Sequence, residues 1–245
     1  MNCPKCGHDN HPDRQDCSRC GVIFAKIRDS GFTPAVQLQD QVVSAGSVDG
    51  GNRLRDLIFP SPEPANGLVV LGRAAVLLVL IVWGGKLIFA GIAGNAAGES
   101  WLHLINMPFH EAGHVFFRPF GSFMTSLGGT LGQLLVPLVC LAVLLVKTRD
   151  PFGAAVCLWW FGENFLDIAP YINDARAGVL PLVGGNFGHS APYGFHDWEY
   201  LLTETGLLRC DHLLARVSHG LGSLIMVLAV AWGGYLLYRQ YRLRD

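Results

Sequence analysis

His110-Glu111-Ala112-Gly113-His114 sets two imidazoles four residues apart with a carboxylate beside the first. On a helix, positions four apart share a face one turn apart, so both rings can reach one metal ion. Glu111 projects beside the first ring, where it can take a proton from a water on that ion. Pro108 precedes the pair and can bend the helix, and Gly113 lets a second backbone or a substrate come close. Catalytic zinc takes three protein ligands and keeps a fourth position for water, so a third ligand has to come from elsewhere. The stretch from Glu163 to Ala175 offers three carboxylates, Glu163, Asp167 and Asp174. Asp167 and Asp174 share a face on an unbroken helix, a continuity that Pro170 puts in question. Asp174 is the preferred third ligand and Asp167 the alternative.

A second metal-ligand pattern opens the chain: Cys3-Pro-Lys-Cys6-Gly, ten residues, then Cys17-Ser-Arg-Cys20-Gly. Two CxxC pairs, each followed by Gly, read as two zinc knuckles, with Cys3, Cys6, Cys17 and Cys20 closing a structural tetrahedral site. So small a module folds on metal binding rather than on apolar burial. The competing disulfide reading needs an oxidising compartment, so a zinc ribbon places this end in the cytoplasm. His8 and His11 are read as solvated loop residues, since four thiolates already complete the shell. Cys140, Cys157 and Cys210 are read as small core residues.

The elements that must position these residues follow from composition. Hydrophobic residues make up 51% of the chain and charged residues only 15%, against about 25% charged in ordinary soluble domains. The expected organisation is a zinc ribbon at 1–27, a flexible linker at 28–66 and a membrane-embedded domain at 67–245. Residues 1–20 are polar where a signal peptide needs an apolar stretch, so the first apolar helix is expected to drive insertion. Net charge is −1, which gives no reason to expect a nucleic-acid partner. Candidate membrane segments lie at 68–92, 100–117, 127–146, 152–172 and 213–238. Five simple crossings with the ribbon inside would leave Lys147, Arg149 and the tail Arg239, Arg242 and Arg244 outside, against the positive-inside rule, and Arg118 inside. The expectation is therefore a mainly α-helical polytopic membrane protein with four to five membrane segments, one of them re-entrant or broken. It is expected to be an integral protein of the cell (inner) membrane with a cytoplasmic N-terminus. Trp159, Trp160, Trp198 and Trp232 suit interfacial belts.

The polar second segment carries the sharpest signal. An ionisable group in mid-membrane costs on the order of 2.5–3.5 kcal/mol on insertion scales and is retained for function. His103, Asn106, His110, Glu111 and His114 all fall in this one segment. Between 181 and 200, His196 and Asp197 are read as surface loop residues, the alternative being a contact near the site.

The pattern resembles the site-2 protease family of intramembrane zinc metalloproteases over roughly residues 100–178. The family's HExxH is matched by His110-Glu111-Ala112-Gly113-His114. Its glycine-rich segment is matched more loosely by Gly128-Gly129-Thr130-Leu131-Gly132-Gln133. Its later Asn/Pro/Asp element is echoed by Asn164, Pro170 and Asp174, at longer spacing and with Ala175 where the family has Gly. The resemblance implies that His110, His114 and Asp174 or Asp167 hold a catalytic zinc, a second zinc being structural. It further implies that Glu111 is the general base and that Asn164 hydrogen-bonds an extended substrate backbone. The implied partners are a membrane-protein or peptide substrate and the lipid bilayer, with a protein partner for the ribbon also to be considered. Two competing functions stand beside it: a non-catalytic metal-binding or sensor protein, and a haem-binding helix bundle using His103, His110 or His114.

Overall fold

The computed structural model describes residues 3, 6, 8–11, 13–24, 50–61, 66–183 and 185–242, without the side chains of residues 50–53. Gly7, the linker from 28 to 49, residues 62–65 and Arg244 lie outside the described residues. The chain divides into two compact units, Met1–Leu54 and Arg55–Asp245. A short helix α1 (Gly50–Ile58) spans the boundary between them. The described residues contain helices but no strand, only isolated bridges such as Asp16 to Ile23.

In the first unit, backbone bonds shape two turns around the cysteines: Cys3 N–H to His8 O at 2.9 Å and Gly21 N–H to Cys17 O at 2.9 Å. Gly21 sits at φ 69°, a left-handed conformation that favours glycine. Asn10 ties the turns together. Its Oδ1 accepts from Ser18 N–H at 2.8 Å and its Nδ2 approaches Cys17 Sγ at 3.6 Å.

The second unit holds α2 (Gly67–Ala90), α3 (Trp101–Phe117), α4 (Ser122–Ala142), α5 (Pro151–Asn173), the short α6 (Asp197–Glu204) and α7 (Asp211–Tyr241). Asn66 caps α2, accepting from Leu68 N–H, and Pro151 starts α5 where a missing N–H costs nothing. Among the described residues, three helical stretches are long and apolar enough to cross a membrane: Gly67–Ala90, Ser122–Lys147 and Leu208–Tyr241. Their faces carry exposed Leu, Val and Phe, such as Leu71, Val82 and Phe89 on α2.

This is fewer than the four to five segments expected from sequence, for two reasons. With 17 residues, α3 is about 25 Å long at 1.5 Å per residue, short of the ~30 Å hydrocarbon core. α5 is long enough but carries Glu163, Asn164 and Asp167 at its centre, and it is the most enclosed helix. Nor is either polar segment broken. Pro108 lies inside a continuous α3, the glycine-rich stretch inside a continuous α4, and α5 runs through Pro170 to Asn173.

Small residues allow the close packing. A Cβ on Gly162 of α5 would fall 2.9 Å from Gly222 O of α7, and Ser218 Oγ donates to Phe165 O at 2.8 Å. Between α3 and α4 the backbones touch at Gly113, Gly128 and Gly132; a Cβ on Gly128 would sit 2.6 Å from Gly113 O. Trp159 is buried against α2 and α7 rather than interfacial, and Trp160 donates inward to Asn106 Oδ1 at 2.9 Å. Cys140, Cys157 and Cys210 are half-buried and free, not core residues. At one end of the bundle Arg73 of α2 donates to Gln240 of α7 at 2.9 Å and to Asp150 at the start of α5 at 3.4 Å. The starts of α2 and α5 and the end of α7 therefore share one level, together with the α4–α5 turn.

Candidate metal centre

The α3–α4 contact forms one wall of the centre. Gly113, Gly128 and Gly132 bring the two backbones together, and Gly129 leaves the space that the histidines fill. A Cβ on Gly129 would come within 2.5 Å of His110 Nε2 and 2.6 Å of His114 Cε1. His110 Nδ1–H donates to Gln133 Oε1 at 2.7 Å, and His114 Nδ1–H donates to Thr125 O at 2.8 Å. Both acceptors lack a proton to give, so both rings carry hydrogen on Nδ1 and expose a lone pair on Nε2. Gln133 is itself held, its amide donating to Asn164 Oδ1 at 3.1 Å and approaching Asp167 Oδ2 at 3.5 Å.

The two Nε2 atoms converge on one carboxylate oxygen, and it belongs to Asp197. Asp197 Oδ2 lies 3.2 Å from His110 Nε2 and 3.3 Å from His114 Nε2. Zinc bonds of 2.0–2.1 Å in a tetrahedron give ligand separations of about 3.3 Å. Asp197 Oδ2 lies at that spacing from both Nε2 atoms, whose rings have their protons committed elsewhere, and the three form a donor set suited to a divalent cation. His110, Glu111 and His114 group as metal-ligand candidates within 4.8 Å of one another, and Glu111 is exposed on the wall of a cavity of about 490 Å³.

The structure does not bring Asp174 or Asp167 to the histidines. Asp174 caps the end of α5: its Oδ1 and Oδ2 accept from Val179 and Leu180 N–H, each at 2.9 Å. It thereby fixes the loop that carries Asp197 back over α3. Its Oδ2 also lies 3.5 Å from Nε2 of His196, whose Nδ1 accepts from Glu199 N–H at 3.2 Å and caps α6. Burial holds the His196 imidazole below its usual pKa, in keeping with a neutral ring in this role. Asp167 faces His103, with Oδ1 2.8 Å from His103 Nδ1, and its Oδ2 accepts from Asn106 Nδ2 at 3.1 Å. Asn106 Nδ2 also reaches Glu163 Oε2 at 3.0 Å. Asn164 is wholly buried, with Nδ2 donating to Trp160 O at 3.0 Å, and is absent from the cavity wall. It braces Gln133 and hence His110, where the sequence suggested a contact with substrate. The sequence did carry the pair His196-Asp197, but nothing in its spacing tied a loop residue to α3. Tyr171 and Gln133 likewise gave no signal beyond their presence near the motifs.

In the amino-terminal unit Cys3, Cys6, Cys17 and Cys20 form the other metal-ligand group. Cys3 Sγ lies 3.7 Å from Cys20 Sγ and Cys6 Sγ lies 3.6 Å from Cys17 Sγ, with no disulfide between them. A tetrahedron with Zn–S bonds of 2.3 Å has edges of about 3.8 Å, so the cluster is compatible with a zinc ribbon.

Comparison with protein-family models, with curated proteins and with solved structures gave no match. Fold and sites together define a mostly helical, membrane-type protein with, among the described residues, two clusters able to hold metal ions.

Proposed function

We propose that this chain is an intramembrane zinc metalloprotease of the site-2 protease type, hydrolysing a peptide bond in or near the membrane. The observation that carries the reading is the convergence of His110 Nε2, His114 Nε2 and Asp197 Oδ2 beside the exposed Glu111. His110, His114 and Asp197 would hold the zinc, with Asp197 taking the place the sequence gave to Asp174. A zinc ion held there supplies Lewis-acid polarisation of the scissile carbonyl and lowers the pKa of a water molecule. Glu111 takes the proton from the attacking water and passes it to the leaving amine. Gln133 and Thr125 keep both imidazoles in the ligating tautomer. The substrate would have to enter the cavity as an extended segment, because peptide bonds inside a helix are shielded. Haem fits poorly, since both Nε2 atoms face one carboxylate oxygen rather than open space. The test compares newly formed protein termini in membranes holding the wild type with those holding His110→Ala/His114→Ala. New termini within or beside apolar segments are expected only with the wild type; identical sets would leave a non-catalytic metal protein as the better reading.

The bundle also suggests how the site faces. Arg73, Lys147, Arg149, Arg239 and Arg242 belong to the end where α2 and α5 start and α7 finishes. Lys86, Arg118, Arg176, Arg209 and Arg216 belong to the other end, where the loop bearing Asp197 closes over α3. These cations are evenly divided, so the orientation rests on the reduced zinc ribbon, which makes the Arg73 end cytoplasmic. This removes the conflict that five simple crossings create, and it puts Arg118 on the far side with the metal centre. A membrane-impermeant maleimide should label Val183→Cys on intact cells above the native-cysteine background. Thr148→Cys should gain label only after lysis, and the reverse pattern would invert the orientation.

A further inference from the structure

As water adds to the carbonyl carbon of a substrate, the carbonyl oxygen gains negative charge, which it gives up when the C–N bond breaks. Preorganised hydrogen-bond donors are the usual means of stabilising such charge. Tyr171 is placed to be one. It lies one turn beyond Asp167 on α5 and lines the same cavity as His110 and Glu111. Its ring stacks on His196, with centroids 4.3 Å apart, and lies 6.4 Å from the His110 ring. Its hydroxyl oxygen accepts from Asp197 N–H at 3.0 Å. That bond fixes the oxygen beside the residue whose carboxylate faces both histidines. A phenol that accepts one hydrogen bond still has its own proton to donate.

We infer that Tyr171 is a further catalytic residue, its hydroxyl donating a hydrogen bond to the scissile carbonyl oxygen as that oxygen becomes an anion. The inference rests on the protease reading above. In the step itself, the water oxygen bonds to the carbonyl carbon while its proton moves to Glu111. The carbonyl π bond opens onto oxygen and then re-forms as the C–N bond breaks, its electron pair staying on nitrogen, and Glu111 returns the proton there. The products are an amine and a carboxylic acid, which passes its remaining proton to the amine or to water. Tyr171 gains and loses no proton.

The test uses full-length protein loaded with cobalt in place of zinc, with acetohydroxamate as the probe. This small anion binds an open metal position through its oxygens. The four-thiolate site is closed, so an acetohydroxamate-induced change in the cobalt spectrum reports the histidine site alone. Tyr171→Phe keeps the ring that stacks on His196. The expected result is a melting temperature lowered by a few degrees, from the Asp197 N–H that loses its acceptor, unchanged cobalt content, and an acetohydroxamate Kd raised about tenfold, the effect of one lost hydrogen bond to a charged oxygen. An unchanged Kd would overturn the inference. So would loss of cobalt from the Phe variant, which would make Tyr171 only a support for Asp197. If wild-type protein shows no spectral response at all, the open metal centre itself is absent and both readings fall together.

Discussion

Glu111→Gln should lower peptide-bond hydrolysis by about 10²–10⁴-fold, the usual contribution of a positioned general base, while leaving zinc content unchanged. Glu111 is exposed on the cavity wall next to His110, and it is His110, His114 and Asp197 whose atoms converge. Gln preserves size and polarity but cannot take a proton, so the water loses its base while the metal keeps its ligands. Turnover of a peptide by purified protein, measured beside zinc by mass spectrometry, checks both halves of the expectation. A Gln variant with full activity would move the base elsewhere. One that lost zinc would make Glu111 a ligand.

Asp197→Ala should weaken zinc binding at the membrane site by more than about 100-fold, beyond the 10–100-fold typical of removing a residue that only supports a ligand. Asp174→Ala should leave zinc stoichiometry unchanged. The contrast follows from geometry. Asp197 Oδ2 is 3.2 and 3.3 Å from the two Nε2 atoms, whereas both oxygens of Asp174 are occupied by Val179 and Leu180 N–H. Removing Asp174 leaves those two donors without their acceptor, at a cost of about 1–3 kcal/mol each if they stay buried, so its effect should appear in thermal stability. Competition with a zinc chelator, read beside a melting curve, separates the two variants. Zinc loss from Asp174→Ala with retention in Asp197→Ala would restore the assignment suggested by sequence.

That exchange of aspartates shows what the chain made legible. A pattern confined to one helix, such as His110 to His114, reads directly because helical periodicity sets which residues share a face. The cysteine pairs read for the same reason, through local turns. The glycine-rich stretch could be noticed, but its purpose lies in the approach of α3 to α4: Gly129 leaves room for both imidazoles, which periodicity does not express. Asp197 opens α6 more than eighty residues beyond His114, brought back by the Asp174 turn and the His196 cap. Its placement depends on tertiary closure. Asn164 is singled out in the sequence only by the resemblance, which implies a contact with substrate; its contacts show that it braces Gln133 instead of facing the cavity. Of the four to five membrane segments expected, three correspond to helices long and apolar enough to cross a membrane; α3 is short and α5 carries Glu163, Asn164 and Asp167 at its centre, contacts whose purpose lies in packing that hydropathy does not express.

The most direct test of the two-centre account is zinc per chain in full-length detergent-purified protein. It should be compared among wild type, His110→Ala/His114→Ala, Cys6→Ser/Cys17→Ser and the combination of all four changes. The account predicts two zinc ions in the wild type, one after either pair of changes and none after both. A wild type holding one zinc, kept by the histidine variant and lost by the cysteine variant, would contradict it.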